Sequence, residues 1–125
     1  MQDRTVLIVE DELSLQELYE TILGEAGINT VRAMTGAEGV KLALEHEPDV
    51  ILMDIELPDI SGHAAVEQIR ATDWGKTAKI IYLTNHSDAE NVYRAIEQKS
   101  DEYIIKAHAE NKEILNKVRS AMVAR

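Results

Sequence analysis

Five polar residues close or follow short apolar runs in this sequence: Glu10 and Asp11, then Asp54, Thr84 and Lys106. Their types define a narrow chemistry. Three carboxylates held ~5 Å apart at an effective dielectric of ~20 repel by roughly 3 kcal/mol per pair. Either a cation neutralises them or some of them hold protons. The chain has no cysteine, and its four histidines (His46, His63, His86, His108) show no ligand spacing and are expected at the surface. All-oxygen ligands of this kind favour Mg²⁺ over zinc, and Mg²⁺ usually brings phosphate with it. Lys106 supplies a point positive charge and Thr84 a hydroxyl donor, both suited to phosphoryl oxygens. Neither G-x-x-x-x-G-K-[ST] nor G-x-G-x-x-G occurs, so nothing cradles a nucleotide. What remains is a small phosphoryl group with a carboxylate as its acceptor.

These residues converge only if the runs before them are strands of one sheet. Thr5–Glu10, Asp49–Met53 and Lys79–Thr84 are near-continuous apolar stretches, the pattern of strands buried on both faces of a parallel sheet. Ile28–Ala33 and Glu102–Lys106 are more polar and read as edge or near-edge strands. Amphipathic segments lie between them. Leu15, Leu18, Tyr19 and Ile22 form one stripe, Ala37, Val40 and Leu44 a second, and Ala65, Val66 and Ile69 a third. Ala89, Val92, Tyr93 and Ile96 form a fourth, and Ile114, Val118 and Met122 a fifth. Thr35 with Glu38 and Ser87 with Glu90 have capping-box spacing, and Gly27 stands where the first helix should stop. Five βα units with short connections predict an α/β fold: a parallel sheet, right-handed crossovers and helices on both faces. In such sheets ligands bind beyond the carboxyl ends of the strands, where all five polar residues would sit.

Composition supports one globular domain over residues 1–125, with 45% hydrophobic and 29% charged residues. With 13 Lys+Arg against 23 Asp+Glu the net charge is −10. A field of that sign repels nucleic-acid phosphates and anionic lipid, so no direct nucleic-acid or membrane binding is expected. The opening Met1-Gln-Asp-Arg-Thr precedes no long apolar stretch, and the expected location is the cytoplasm.

The acidic pair Glu10-Asp11, the run from Asp54 through Pro58 to Gly62 (D-x-x-x-P-x-x-x-G), Thr84 and Lys106 together resemble the receiver domain of two-component response regulators. The resemblance covers the whole chain. It implies a five-stranded parallel sheet of order 2-1-3-4-5 with (βα)5 connectivity, and it implies a phosphorylation switch. Asp54 would accept a phosphoryl group from a sensor histidine kinase or phosphotransfer protein. Glu10, Asp11, Asp54 and the Glu56 backbone carbonyl would hold Mg²⁺. Lys106 and Thr84 would bind the phosphoryl oxygens, and Thr84 and Tyr103 would move together to reshape the surface of the fourth helix and fifth strand for an output partner. Asn85 and His86, just beyond Thr84, would tune the lifetime of the phosphorylated state.

Two positions depart from the family pattern. Asn85 stands where Ala or Gly is usual, and Ala107 stands where a cis-proline is usual. A non-proline cis bond costs about 2.5–4 kcal/mol, so a trans peptide is expected between Lys106 and Ala107. Each residue also has a plainer reading. Glu10 and Asp11 could cap the first helix, Tyr103 could be packing, and Trp74 is expected to pack at a helix end. As a whole the chain could be a degenerate receiver that serves only as an interaction module. It could also be a Mg²⁺-dependent aspartyl phosphatase, although Glu56 stands where that chemistry needs an acid/base Asp and no cap domain is present. Neither a stand-alone protein nor a piece of a longer regulator is excluded, and a homodimer with Arg94, Asp101 and Arg119 pairing across it is one option. As a receiver, the chain is expected to be a phosphoryl acceptor and not a turnover enzyme.

Overall fold

The structure is a computed structural model that describes residues 4–84, 102–106 and 110–123. Five strands form one sheet: β1 (Thr5–Val9), β2 (Asn29–Ala33), β3 (Val50–Asp54), β4 (Ile80–Thr84) and β5 (Glu102–Ile105). All pairings are parallel, and the order is β2-β1-β3-β4-β5. The described helices are α1 (Leu13–Glu25), α2 (Gly36–His46), α3 (Gly62–Arg70), a short 3-10 turn at Trp74–Thr77, and the C-terminal helix Asn111–Val123. The helix expected after β4, with its Ser87–Glu90 cap, lies outside the described residues, as do Asn85, His86 and the Lys106–Ala107 bond. No helix among the described residues is long and apolar enough to cross a membrane.

Strand pleating divides the core in two. Val6, Ile8, Val50, Leu52, Ile81, Leu83 and Ile104 point to one face and pack against Tyr19, Ile22 and Leu23 of α1 and Ile114, Val118 and Met122 of the C-terminal helix. Leu7, Val9, Ile51, Met53, Ile80 and Tyr82 point to the other and pack against Ala43 of α2 and Ala65, Val66 and Ile69 of α3. Continued along each strand, the same alternation sends Glu10, Asp54 and Lys106 toward the α1 face and Thr84 toward the α3 face.

Three expectations shift by a residue or more. In α2 the buried residues are Gly36, Gly39 and Ala43, and Leu44 is exposed. The cause is close approach: a Cβ on Gly39 would stand 2.9 Å from Val9, so small residues form the contact face, Val40 and Leu42 pack half-buried beside it, and Leu44 is turned outward. In α1, Leu18 is exposed and Gln16 takes a buried place, because the Gln16 amide bonds the carbonyls of Glu10 (3.2 Å) and Ala33 (3.1 Å). His63, expected at the surface, is buried beside Tyr82, with Nδ1 3.2 Å from the phenol oxygen. Gly27 does follow the end of α1, at φ +80°. Thr35 caps α2 by accepting from the Glu38 N–H, while the Glu38 carboxylate reaches back to the Met34 N–H. Trp74 opens the 3-10 turn and packs against the α2/α3 side of the core.

Gly62 ties this frame to the strand end. Its N–H donates to the Ile55 carbonyl at 2.8 Å, and a Cβ there would lie 2.1 Å from the Asp54 carbonyl oxygen. Backbone cannot step aside as a flexible side chain can. Gly62→Ala is therefore expected to lower stability by about 2 kcal/mol, the usual range for overpacking. Urea unfolding with a midpoint equal to that of the wild type would refute the close approach.

Candidate functional site

Glu10 leaves β1, Asp54 ends β3 and Lys106 leaves β5, so three separate strands deliver side chains to one end of the sheet. The Lys106 ammonium stands 2.6 Å from Glu10 Oε1 and 3.1 Å from Asp54 Oδ2, and all three side chains are buried. The Asp54 contact has hydrogen-bond geometry. The Glu10 contact is an ion pair by distance, and Glu10 Oε1 has no aligned hydrogen bond. Glu10 Oε2 accepts from the Glu12 N–H at 3.0 Å, and Asp54 Oδ1 from the Glu56 N–H at 3.1 Å. The Lys106 N–H donates to the Thr84 carbonyl at 2.7 Å, which continues the β4–β5 ladder to the lysine.

Asp11 joins from the rim. Carboxylate oxygens of Glu10, Asp11 and Asp54 all lie within 4.8 Å of one another, and Asp11 alone of the three is exposed. The first helix takes no side-chain cap from this pair: its N-cap is Glu12, which makes no capping bond. Every donor in the cluster is an oxygen, one buried carboxylate oxygen has unused acceptor capacity, and the exposed Asp11 opens a route from solvent. That set fits a hard divalent cation such as Mg²⁺.

Electrostatics follow from burial. Desolvation pushes the Asp54 carboxyl up from 3.8 to about 7, Glu10 adds to the rise, and Lys106 opposes it. Burial lowers the Lys106 pKa, but the contacts with Glu10 and Asp54 outweigh it and leave the ammonium above its ordinary 10.5. Burial also raises the Tyr19 phenol to about 12; Lys106 works against that rise, and Glu10 and Asp54 work with it.

Thr84 is buried at the end of β4, and Tyr103 is half-buried on β5, packed against the α2/α3 side of the core. By register Tyr82 pairs with Tyr103 and Thr84 with Ile105, so Thr84 and Tyr103 project to the same face of the sheet, opposite Asp54. Lys117 of the C-terminal helix donates to the Tyr103 carbonyl at 3.1 Å, with its ammonium 5.7 Å from the ring centre. Glu56 is exposed beside Asp54.

Sequence reading missed Gln16, which pins the β1 end that carries Glu10, and Asp59, whose two oxygens accept from Gly36 N–H (2.8 Å) and Ala37 N–H (2.9 Å) at the start of α2. A signal for Gln16 existed, since it lies three residues before Tyr19 on the buried helix face. Asp59 gave none, because its partners are backbone.

The response regulator receiver domain family matches residues 6–119. The chain belongs to that family. Among its curated relatives, the transcriptional regulatory protein KdpE of Mycobacterium tuberculosis is 32% identical over 117 residues, covering 94% of this chain and 50% of KdpE. DivK, the polar-differentiation response regulator of Brucella anthropi, is 36% identical over 81 residues, covering 65% of this chain and 66% of DivK. The chain spans about half the length of the first curated relatives it matches. Among solved structures, the receiver domain of the sensor histidine kinase PA1611 from Pseudomonas aeruginosa superposes with a TM-score of 0.88 at 26% identity, covering 97% of this chain and 98% of that one. That structure has a magnesium ion coordinated in its active-site cleft. Receiver domains are signalling switches of two-component systems, working between histidine kinases or phosphotransfer proteins and output domains. They bind Mg²⁺ in an acidic pocket, and in this receiver the acidic cluster is Glu10, Asp11 and Asp54.

Proposed function

We propose that this receiver is a phosphorylation-dependent switch in which Asp54 accepts a phosphoryl group from a histidine kinase or phosphotransfer protein. The observation that carries the reading is a buried carboxylate, Asp54, with an ammonium 3.1 Å away and two further acids within 4.8 Å. Glu10, Asp11, Asp54 and the Glu56 carbonyl would hold Mg²⁺. Bound there, the ion supplies positive charge that keeps the carboxylates ionised and draws electron density from the phosphoryl oxygens.

An ionised Asp54 oxygen attacks phosphorus, the phosphorus–nitrogen bond of the donor phosphohistidine breaks, and the leaving imidazole takes up a proton. Lys106 turns from the carboxylates to a phosphoryl oxygen, and the Thr84 hydroxyl, from the other face of the sheet, swings over the open end of β4 to donate to another. Thr84 and Tyr103 share one face of the sheet, so movement of the first gives the second room to turn. That change biases a two-state surface on the β4–β5 side, which an output partner reads. Asn85 and His86 tune the lifetime of the acyl phosphate. The switch is a single-turnover acceptor in the cytoplasm.

Incubation with acetyl phosphate and Mg²⁺, followed by intact-mass measurement, tests this. The expected result is a gain of one phosphoryl group, mapped to Asp54, that does not form when EDTA removes the metal. No mass gain under any of these conditions would leave a binding module in place of a switch.

A further inference from the structure

Between Asp54 and α3 the chain makes a loop whose two stems are fixed by backbone. Ile55 N–H continues the sheet ladder to the Leu83 carbonyl (3.1 Å), and Gly62 N–H returns to the Ile55 carbonyl (2.8 Å). The apex, Pro58-Asp59-Ile60, is held differently. Asp59 Oδ1 accepts from the Gly36 N–H at 2.8 Å and Oδ2 from the Ala37 N–H at 2.9 Å, a two-pronged contact with the first turn of α2. Helix N-termini leave such N–H groups without intrahelical partners, and a carboxylate there also meets the positive end of the helix dipole. Those bonds to Ala37 and Gly36 hold the exposed Asp59 carboxyl below the ordinary carboxylate range. Ile60 presses the same point: a Cβ on Gly36 would fall 2.4 Å from Ile60 Cγ1. α2 is itself seated directly on β1, where Gly39 meets Val9.

We propose that Asp59 is a positioning residue for metal binding, tethering the loop that presents the Glu56 carbonyl to the rigid start of α2. This rests on the reading of the acidic cluster as a Mg²⁺ site. With its stems fixed and its apex clamped by two charged hydrogen bonds, the loop holds Glu56 beside Asp54 before any cation arrives. Without the clamp the Glu56 carbonyl must be ordered at the moment of binding, and affinity falls. Loss of a partner that orients a metal ligand usually weakens binding by about 10–100-fold. Because Glu56 would give one ligand among several, the lower end applies.

The test is calorimetric titration of Mg²⁺ into the wild type, Asp59→Ala, Asp59→Asn and Thr35→Ala. Thr35 caps the same helix end through the Glu38 N–H and is not part of the 54–62 loop, so Thr35→Ala separates a weakened helix from a released loop. Circular dichroism checks that each variant is folded. The expected result is about tenfold weaker Mg²⁺ binding in Asp59→Ala, a smaller loss in Asp59→Asn, which keeps one acceptor oxygen, and unchanged binding in Thr35→Ala. Equal affinity in Asp59→Ala and the wild type overturns the tether while leaving the metal site standing. An equal loss in Thr35→Ala and Asp59→Ala overturns it too, since helix stability alone would then explain the effect. A wild type that takes up no Mg²⁺ overturns the metal reading and the tether together.

Discussion

Asp54→Asn is expected to take up no phosphoryl group and, at pH 8 without metal, to be more stable than the wild type. An amide oxygen is no nucleophile toward phosphorus at neutral pH, so the loss is complete. Persistent uptake would move the acceptor to Glu10 or Asp11. The gain in stability follows from the raised carboxyl. An acid that titrates near 7 in the native state and near 3.8 unfolded holds more protons native than unfolded between those values. Stability therefore falls as pH climbs from about 4 to about 7 and stays low above that. Asn carries no charge at any of these pH values, so its advantage is absent near pH 4 and full by pH 8. At 1.36 kcal/mol for each pH unit the span sets a ceiling of about 4 kcal/mol. Asp11 leaves the rim of the cluster open to solvent, and screening there brings the expected gain down to about 2 kcal/mol. Urea unfolding in EDTA at pH 5.5 and pH 8 reads the difference. A variant no more stable than the wild type at pH 8 would contradict charge crowding.

Lys106→Met should cost about 3 kcal/mol in metal-free buffer at pH 8. Its ammonium is the only cation drawn against Glu10 and Asp54 among the described residues, and removing one partner from a buried ion pair typically costs about 3–5 kcal/mol. Asp54 can relieve the loss by taking up a proton, which places the effect at the lower end and shrinks it further at pH 6. Met keeps the apolar stem, so the change isolates the charge. Millimolar Mg²⁺ should then stabilise Lys106→Met more than the wild type, because the ion fills a role the lysine otherwise holds. Denaturation curves with EDTA and with Mg²⁺ provide the comparison. A variant as stable as the wild type in EDTA would show that the contact is only proximity.

Much of this fold was legible because parallel strands buried on both faces must be apolar at every position. The runs before Asp54 and Thr84 have that character, and each ends where a polar residue begins. Strand order came with the family resemblance, since apolar runs carry no record of their neighbours. The stripe on α2 misled for a physical reason. Hydrophobic periodicity finds large apolar side chains, whereas this helix lies so close to β1 that Gly36, Gly39 and Ala43 line the contact. Side-chain alternation separates Glu10, Asp54 and Lys106 from Thr84 and Tyr103, yet that pattern becomes readable only once the register across β1, β3, β4 and β5 is known. The Asp59 clamp was illegible for another reason: backbone N–H groups look alike in every sequence.

Lys106 meets Asp54 across 52 residues of chain. Closing a loop of that length before other contacts exist is entropically unfavourable, and topologies rich in such distant pairings fold slowly. The lysine and the aspartate are therefore expected to meet late, once β3, β4 and β5 have paired. On that order, relieving the charge crowding in Asp54→Asn is expected to slow unfolding more than it speeds folding, and stopped-flow urea kinetics would read the split. A chain arranged this way can carry a charge-crowded cluster at its strand ends with little expected effect on its folding rate.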